Sequence, residues 1–445
     1  MFANESLVFM GINLKLFVLI WFPIALISAF NDFPLFATVS ILRSPSIFSY
    51  ILFLPMILIW FWRVPIYKFS QSSITTFIYV LWGYFFFAFV YNLFVNDLYD
   101  GRLGLACSVF FGAFITMSFL LVVSLTFQTL GCRIDKMFSC VNNAVLSASW
   151  LMIAYGLIEL FAKYNAGFYV ILNLLEPMFH DRPIGDYFSG SSLRSLSFEP
   201  SYLALPLVFL LGLNFIHIDR KHNMLVAALL IGLGVMSGSR LISVMLMASI
   251  LLHVVISRGL SLKTPVYIAL FFIPLGFLLG NTIVSLLNLD ANQISNIQRY
   301  GSYLAGFDLF MDHPYFGVGF GLGGGFISEY YPAFFYETYT SLDWVDNEGF
   351  GGSFLSLPIR FLAEAGAVGT GLALCVFIRS ITALLKMRRR YARNSVEFKG
   401  INSLITLWLL LPIASMGVDS YIFLGFWIVL GLTLFVYQNR SPKKY

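Results

Sequence analysis

The residues of this sequence best suited to chemistry are four arginines beside or within apolar segments: Arg194, Arg240, Arg299 and Arg360. A guanidinium group is always charged, and its planar N–H donors bind a phosphate through two bonds at once. An arginine inside a membrane span is costly, so it usually marks a ligand path or a charged partner. Several such groups around one cavity would suit a diphosphate.

Two of these arginines have a local alternative to ligand binding. Arg360 could pair with Glu364, which lies one helical turn later in SLPIRFLAEAG. Arg240 ends the SGSR turn and could extend to lipid head groups. Arg194 and Arg299 have no comparable local explanation, which makes them the stronger candidates.

Three further residues near the arginines are candidates for the same site. Glu199 precedes a proline at a predicted helix start, where the helix dipole favours an acid, and it could also position the nearby arginine. His313 could act as a general base near neutral pH, although the proline after it also suits a turn. Tyr300 lies beside Arg299 and offers an aromatic face. The glycines from Gly317 to Gly325 lack the lysine and the strand–turn–helix context of a phosphate loop, so they predict a flexible or tight turn.

The composition shows what kind of protein must position these groups. Hydrophobic residues make up 59% of the chain and charged residues 11%, and the mean hydropathy is +0.83. Soluble domains have about 25% charged residues, so we expect an integral membrane protein with one membrane domain, 1–445. None of the 4 cysteines lies in a long polar loop, so no disulfide framework is expected. The first apolar run lacks a basic leader and predicts a retained span.

Twelve apolar segments are candidates to cross the hydrocarbon core as helices, which takes about 20 residues and fewer where the membrane is thin. The sequence therefore predicts an all-α polytopic protein with about 12 transmembrane helices. The predicted spans are 13–30, 47–62, 74–95, 103–127, 138–162, 201–218, 224–237, 241–257, 264–288, 353–381, 401–416 and 420–437.

The distribution of lysine and arginine indicates which way the chain faces, since cytoplasmic connections carry more of them. With both termini in the cytoplasm, 18 of the 27 basic residues fall on the inner side, 7 on the outer side and 2 within a span. This orientation places two long loops outside, at about 163–200 and 289–352. A short apolar piece of the first loop, Phe168 to Phe179, is expected to lie along the membrane interface.

The second outer loop is the longest polar part of the sequence. Between Asp290 and Gly352 it holds eight acids against one base, and aromatic residues are crowded from Ser328 to Trp344. Aromatic rings stack on the C–H faces of sugars and carboxylates accept O–H bonds, so this composition suits a hydroxyl-rich ligand. The alternative is an inert cap with its aromatics anchored at the lipid interface.

The predicted topology also limits the substrates. No nucleotide-binding loop occurs in the cytoplasmic connections, and the candidate residues lie on the outer side, where ATP and nucleotide sugars are absent. A donor used there must arrive already activated, and a lipid is the expected carrier.

Three sequence blocks resemble the bacterial O-antigen polymerase and O-antigen ligase superfamily. The first is R-x-x-S-x-E-P-S-x-x-A, from Arg194 to Ala204, and the second is SGSR ending at Arg240. The third runs from Arg299 through HPYFGVGFG to FLSLPIRFLAEAGAVGTGL. The three blocks occur in the family's order and together cover about Ser191 to Leu372.

This resemblance implies a GT-C-type membrane glycosyltransferase in the bacterial inner membrane, acting on glycan donor and acceptor carried on undecaprenyl diphosphate. It implies a reaction that needs no metal and no cofactor, with outer arginines holding the diphosphate. A flippase and a chain-length regulator are candidate partners, membrane lipid surrounds the protein, and no nucleic acid is expected. The expected catalytic residues are Arg194, Arg299 and Glu199, and the expected substrate-binding residues are Arg240, Arg360, Glu364, His313 and Tyr300.

One departure from the family pattern bears on the reaction. Ligases have a histidine–asparagine pair that would fall near Leu355 and Ser356, but no histidine occurs between Pro314 and the C-terminus. This favours a polymerase of O-antigen or a related surface polysaccharide over a ligase. Other open alternatives are a lipid-linked oligosaccharide flippase, a membrane acyltransferase and a non-catalytic assembly factor.

The predicted orientation can be tested by labelling single cysteines at Ser341 and Asn394 in a background without the native cysteines. An impermeant reagent added to intact cells should label position 341 and leave position 394 unlabelled, because only the first is predicted to lie outside. Labelling of position 394 would contradict this topology.

Overall fold

A computed structural model gives the fold of most of the chain. Its described residues are 8–9, 12–31, 50–55, 58, 73–95, 103–129, 132–179, 193, 195–196, 203–237, 239–258, 294–336, 354–417 and 424–439.

The described residues are mostly helical, because long apolar segments can satisfy every backbone hydrogen bond within one helix. A two-residue antiparallel pair, β1 (Val8–Phe9) with β2 (Ile12–Asn13), precedes the first helix. The helices are α1 (Leu14–Asn31), α2 (Ser73–Val95), α3 (Leu103–Thr129), α4 (Ile134–Ala162), α5 (Ala166–Phe179), α6 (Ala204–Asn214), α7 (Lys221–Met236), α8 (Arg240–Arg258), α9 (Ile294–Asp312), α10 (Ala333–Tyr336), α11 (Leu357–Arg388), α12 (Val396–Ala414) and α13 (Leu424–Gln438). Short 3-10 turns follow at Phe215–His217, Gly323–Gly325, Ile327–Tyr330 and Ser415–Gly417.

These helices agree with the prediction of an all-α membrane protein. Four of them, α2, α4, α11 and α12, are long and apolar enough to cross a membrane. Most other predicted spans coincide with shorter or partly described apolar helices, and α5 coincides with the predicted interfacial piece. The predicted span 264–288 and most of 47–62 lie outside the described residues.

The helices pack closely where small residues let two backbones approach, as is common between membrane helices. A Cβ on Gly212 of α6 would meet the side chain of Leu407 on α12 at 2.6 Å, and one on Gly400 would meet the ring of Phe138 at 2.5 Å. The contacts of α12 with α6 and with α4 therefore tolerate no larger side chain without movement.

The start of the predicted second outer loop is a helix, α9, which packs against α11. Gly306 of α9 lies against Ile359 and Phe354, because a Cβ there would meet both side chains. Further along, the turn after α9 bonds to residues 367 and 368 of α11. The two helices therefore run in the same direction, and the turn reaches roughly 16 Å beyond the first residue of α11.

Helix α11 is broken at Gly366, which has φ +61° and ψ −171°. The break frees the carbonyls of residues 363 and 364 and the amides of residues 367 and 368 from the helical pattern. The turn after α9 supplies partners for all four groups, as buried backbone polar groups require. The bonds are Val318 N–H to Ala363 O (3.0 Å), Gly319 N–H to Glu364 O (3.0 Å), Ala367 N–H to Pro314 O (2.8 Å) and Val368 N–H to Tyr315 O (3.2 Å).

Alanine substitutions at two glycines of α11 should differ in their effect on stability, because one glycine is at the break and the other is in regular helix. A Cβ at Gly366 would meet the Tyr315 carbonyl and lie 2.5 Å from the Gly317 nitrogen. The φ and ψ of Gly366 lie in a region essentially restricted to glycine, so another residue there adds about 1–3 kcal/mol of strain. Gly366→Ala should therefore lower the melting temperature of the purified protein. A Cβ at Gly371 meets nothing within 4 Å, so Gly371→Ala should be neutral or stabilise by up to about 1 kcal/mol. Equal melting temperatures for the two variants would contradict the presence of a helix break at Gly366.

Candidate functional site

Glu364 lies at the centre of the candidate site and is fully buried. Its carboxylate accepts hydrogen bonds from the Gly321 N–H (2.8 Å), the Gly323 N–H (3.2 Å) and the Nε–H of Arg360 (2.9 Å). A buried carboxylate is tolerated only when it is paired and hydrogen-bonded. Glu364 therefore joins the turn after α9 to the first part of α11.

The glycines of this turn allow the chain to approach the carboxylate. Gly317, Gly319 and Gly321 have φ values of +66°, +102° and +84°, which disfavour any other residue. A Cβ on Gly323 would come within 2.7 Å of the Glu364 Cγ and of the Phe354 ring. The glycine-rich segment is a tight turn that binds a protein carboxylate through two backbone amides.

Arg360 is the cation of the site, and the pairing with Glu364 suggested by their spacing is confirmed. The Arg360 side chain is 17% exposed, and its Cζ lies 6.0 Å from the centre of the Phe354 ring. The bond to Glu364 through Nε uses one of the five N–H donors of the guanidinium. The carboxylate and the aromatic ring thus fix the plane of the group.

The burial of Glu364 bears on its expected role in substrate binding. Its side chain has no exposed surface in this conformation, and its contacts join Arg360 to the glycine turn. A substrate-binding role for Glu364 stays a prediction.

Arg299 lies on α9, about two helical turns or 10 Å before the contact at Gly306. It is half-buried beside Tyr303, whose hydroxyl donates to the Met416 carbonyl at 2.6 Å. Burial raises the pKa of Tyr303, and the neighbouring Arg299 charge opposes that shift. Tyr300 is 40% exposed and stacks on Phe334, with ring centres 5.8 Å apart.

His313 lies in the turn that ends α9, which is the alternative that its proline suggested. The backbone N–H of His313 donates to the carbonyls of Leu309 and Phe310, and its backbone carbonyl accepts from the Gly317 N–H at 3.0 Å. Beside this turn the Tyr330 hydroxyl donates to Asp312 at 2.8 Å. Burial, and then this bond to Asp312, raise the pKa of Tyr330 to about 12.

Two other predicted residues, Arg194 and Glu199, lie outside the described residues. Arg240 is the first residue of α8. The residue after Arg194, Ser195, is buried against α4, where its N–H donates to Glu159 at 2.7 Å and its hydroxyl donates to the Met152 carbonyl at 2.8 Å.

Two residues that organise this region, Gly366 and Glu159, are not among the predicted site residues. Gly366 sits in AEAGAVG, where a glycine within an apolar helix carries no signal that the helix is broken. Glu159, only 2% exposed, lies within a predicted span, and its acidic side chain inside an apolar segment was the available signal.

No family model matches this chain, and no curated protein matches it.

The central role of Glu364 can be tested by Glu364→Gln. The amide keeps the volume but places an NH₂ group where a backbone N–H needs an acceptor, and it leaves Arg360 without its counter-charge. Breaking a buried pair costs about 3–5 kcal/mol, so the variant should have a clearly lower melting temperature and abundance. Glu329→Gln, which changes an exposed acid on the neighbouring 3-10 turn, is the matched control. Equal stability of the two variants would contradict the proposed role.

Proposed function

We propose that this protein is a polysaccharide polymerase of the bacterial inner membrane. It transfers a glycan from undecaprenyl diphosphate to the next lipid-linked repeat unit, on the outer face of the membrane. In this proposal the fold is a GT-C-type bundle of about 12 transmembrane helices with both termini cytoplasmic. The product is O-antigen or a related surface polysaccharide.

The observation that carries this proposal is the fixed arginine at the broken end of α11. Arg360 is held by Glu364, which is itself held by the glycine turn, so the guanidinium is oriented before any ligand arrives. Preorganised donors of this kind stabilise developing negative charge effectively, because they need no rearrangement during the reaction.

The position of this arginine along α11 supports an outer site. The opposite end of α11 is basic, with Lys386 and Arg388 in its last turn. Basic residues favour the cytoplasmic side. About 30 Å of helix separates Lys386 from Gly366, which matches the thickness of the hydrocarbon core. The break and Arg360 then lie at the outer boundary, where a lipid-linked diphosphate has its head group.

The proposed reaction is a displacement at the anomeric carbon of the donor sugar. A hydroxyl oxygen of the acceptor forms the new glycosidic bond, and the bond from that carbon to the diphosphate oxygen breaks. The electron pair leaves with the diphosphate, and the hydroxyl proton passes to the departing diphosphate. The arginines on the outer side stabilise the leaving charge, with Arg194 and Arg299 assigned to the diphosphate and Arg360 beside them. The aromatic residues near α9 bind sugar and exclude water, because hydrolysis would consume the activated donor.

The broken helix is the one observation that favours a flippase or another transporter, since discontinuous helices line many transport sites. Here, however, the backbone groups freed by the break bond to the turn after α9. The break is therefore filled by protein groups, and we keep transport as the second candidate.

Purified protein with undecaprenyl-diphosphate-linked repeat units tests the proposal directly. Wild-type protein should produce a ladder of longer lipid-linked glycans. Arg194→Ala and Arg299→Ala should each lower the rate by roughly 10²–10³, equivalent to about 2–4 kcal/mol, without loss of abundance. Arg133→Ala, which removes an arginine that is 69% exposed, should keep the wild-type rate. Movement of the lipid without a new bond indicates a flippase, and transfer to lipid A core indicates a ligase.

Arg360→Lys separates a structural role from a phosphate-binding role in the same assay. Lysine keeps a charge for Glu364 but lacks the planar fork that binds phosphate through two bonds. We expect abundance to be retained and the rate to fall. A wild-type rate for Arg360→Lys would limit Arg360 to a structural role.

A further inference from the structure

Arg379 is an arginine of α11 to which the proposed function gives no role. It lies seven residues before Lys386, so its Cα is about 10 Å of helix further into the apolar span than the basic end of that helix. Its side chain is exposed, so in a membrane it faces lipid and not the helix bundle. A charged group in such a place is costly, and it usually marks a ligand or a charged partner.

The described residues offer Arg379 no counter-charge. Its Cζ lies 5.6 Å from the centre of the Phe77 ring on α2, and no ion pair within the described part of the chain includes it. From Arg379 to the end of α11 the sequence contains no acid. Arg388 of the same helix is a contrast, because its guanidinium donates to the Ile256 carbonyl and its Cζ lies 5.0 Å from the Phe398 ring centre. A negative charge for Arg379 must therefore come from outside the described residues.

A second cation lies on the same face of α11. Lys386 is exposed and follows Arg379 by seven residues, which is close to two full turns, so the two side chains leave the helix in nearly the same direction. Thr382 is also exposed and lies between them on this face. The Cα atoms of the two cations are about 10 Å apart along the helix. A phosphate beside Thr382 would therefore be within reach of both long side chains.

The surface next to this pair suits the chains of a lipid. Leu374, Ile378 and Leu385 lie on the adjoining strip of α11 and are 54%, 52% and 40% exposed. Exposed apolar side chains within a membrane span contact acyl chains. The connection that follows α11, residues 389–393, adds three exposed arginines and no acid, so the surroundings of the pair are positive.

We propose that Arg379 and Lys386 form a binding site for an anionic phospholipid in the membrane leaflet at the basic end of α11. The phosphate lies between the two cations beside Thr382, and the acyl chains lie along Leu374 and Ile378. In the proposed orientation this is the inner leaflet, so the site is separate from the outer arginines assigned to the substrate. Such a site does not depend on the polymerase reaction.

Cys375 provides a probe for this site, because it is exposed and lies about one turn before Arg379 on the same face. The other three cysteines are replaced by alanine, and a bimane label is attached to Cys375 in the purified protein. In lipid nanodiscs, brominated phosphatidylglycerol should reach half of its quenching at a mole fraction roughly tenfold lower than brominated phosphatidylcholine, since two cations attract the anionic lipid. Equal quenching by the two lipids would overturn the proposal and leave an acid of another protein chain as the counter-charge.

Single substitutions in the labelled protein locate the site. Arg379→Gln and Lys386→Gln should each lower the preference for phosphatidylglycerol about fivefold, equivalent to about 1 kcal/mol for one cation near an anionic surface. Arg133→Gln is the matched control, because it removes one charge from a side chain that is 69% exposed and on the same side in the proposed orientation. This control should keep the unsubstituted protein's preference. An equal loss in all three variants would indicate diffuse attraction to the basic side and would overturn the site.

Thermal unfolding gives a readout that needs no label. A lipid that binds only the folded protein raises the melting temperature, so adding phosphatidylglycerol to phosphatidylcholine nanodiscs should raise it for the wild type and for Arg133→Gln. Arg379→Leu places an apolar side chain on a lipid-facing surface, so it should be at least as stable as the wild type in phosphatidylcholine alone. It should gain clearly less from phosphatidylglycerol. An equal gain by Arg379→Leu would contradict the proposal.

Discussion

The described part of the site depends on the hydrogen bonds and the ion pair of the buried Glu364 carboxylate. Moving a charge out of water is expensive, and three donors around this carboxylate offset the penalty. Two of them are backbone amides of the glycine turn, and the third is Arg360. The carboxylate therefore fixes a turn and a cation at the same time, and removing it would release both.

The break at Gly366 and the turn after α9 depend on each other in the same way. An unbroken α11 would have no carbonyls or amides to offer the turn, and the turn without those partners would have to bury its own polar groups. The result is a hydrogen-bonded unit of α9, its turn and the first part of α11. In the proposed function such a unit would hold the arginine in position for the leaving group, where small misplacements lower rates strongly.

The helices and the Arg360–Glu364 pair could be predicted from the sequence because hydropathy and the i, i+4 spacing are local signals. Helix α9 could not be predicted, because its many polar residues are typical of a loop and its role becomes clear only from its packing on α11. The break at Gly366 could not be predicted either. A glycine in an apolar run continues or breaks a helix according to what lies opposite it, and here that partner is a turn more than forty residues earlier in the sequence.

The same unit connects Arg360 to the hydrophobic interior. Arg360 and Phe361 are neighbours on α11, yet Arg360 bonds to Glu364 while Phe361 lines an apolar cavity between α2, α11, α12 and α13. In the proposed function, binding energy from unreactive parts of the lipid-linked substrate would place the reacting diphosphate against a preoriented cation. Remote contacts are used in this way to raise a reaction rate.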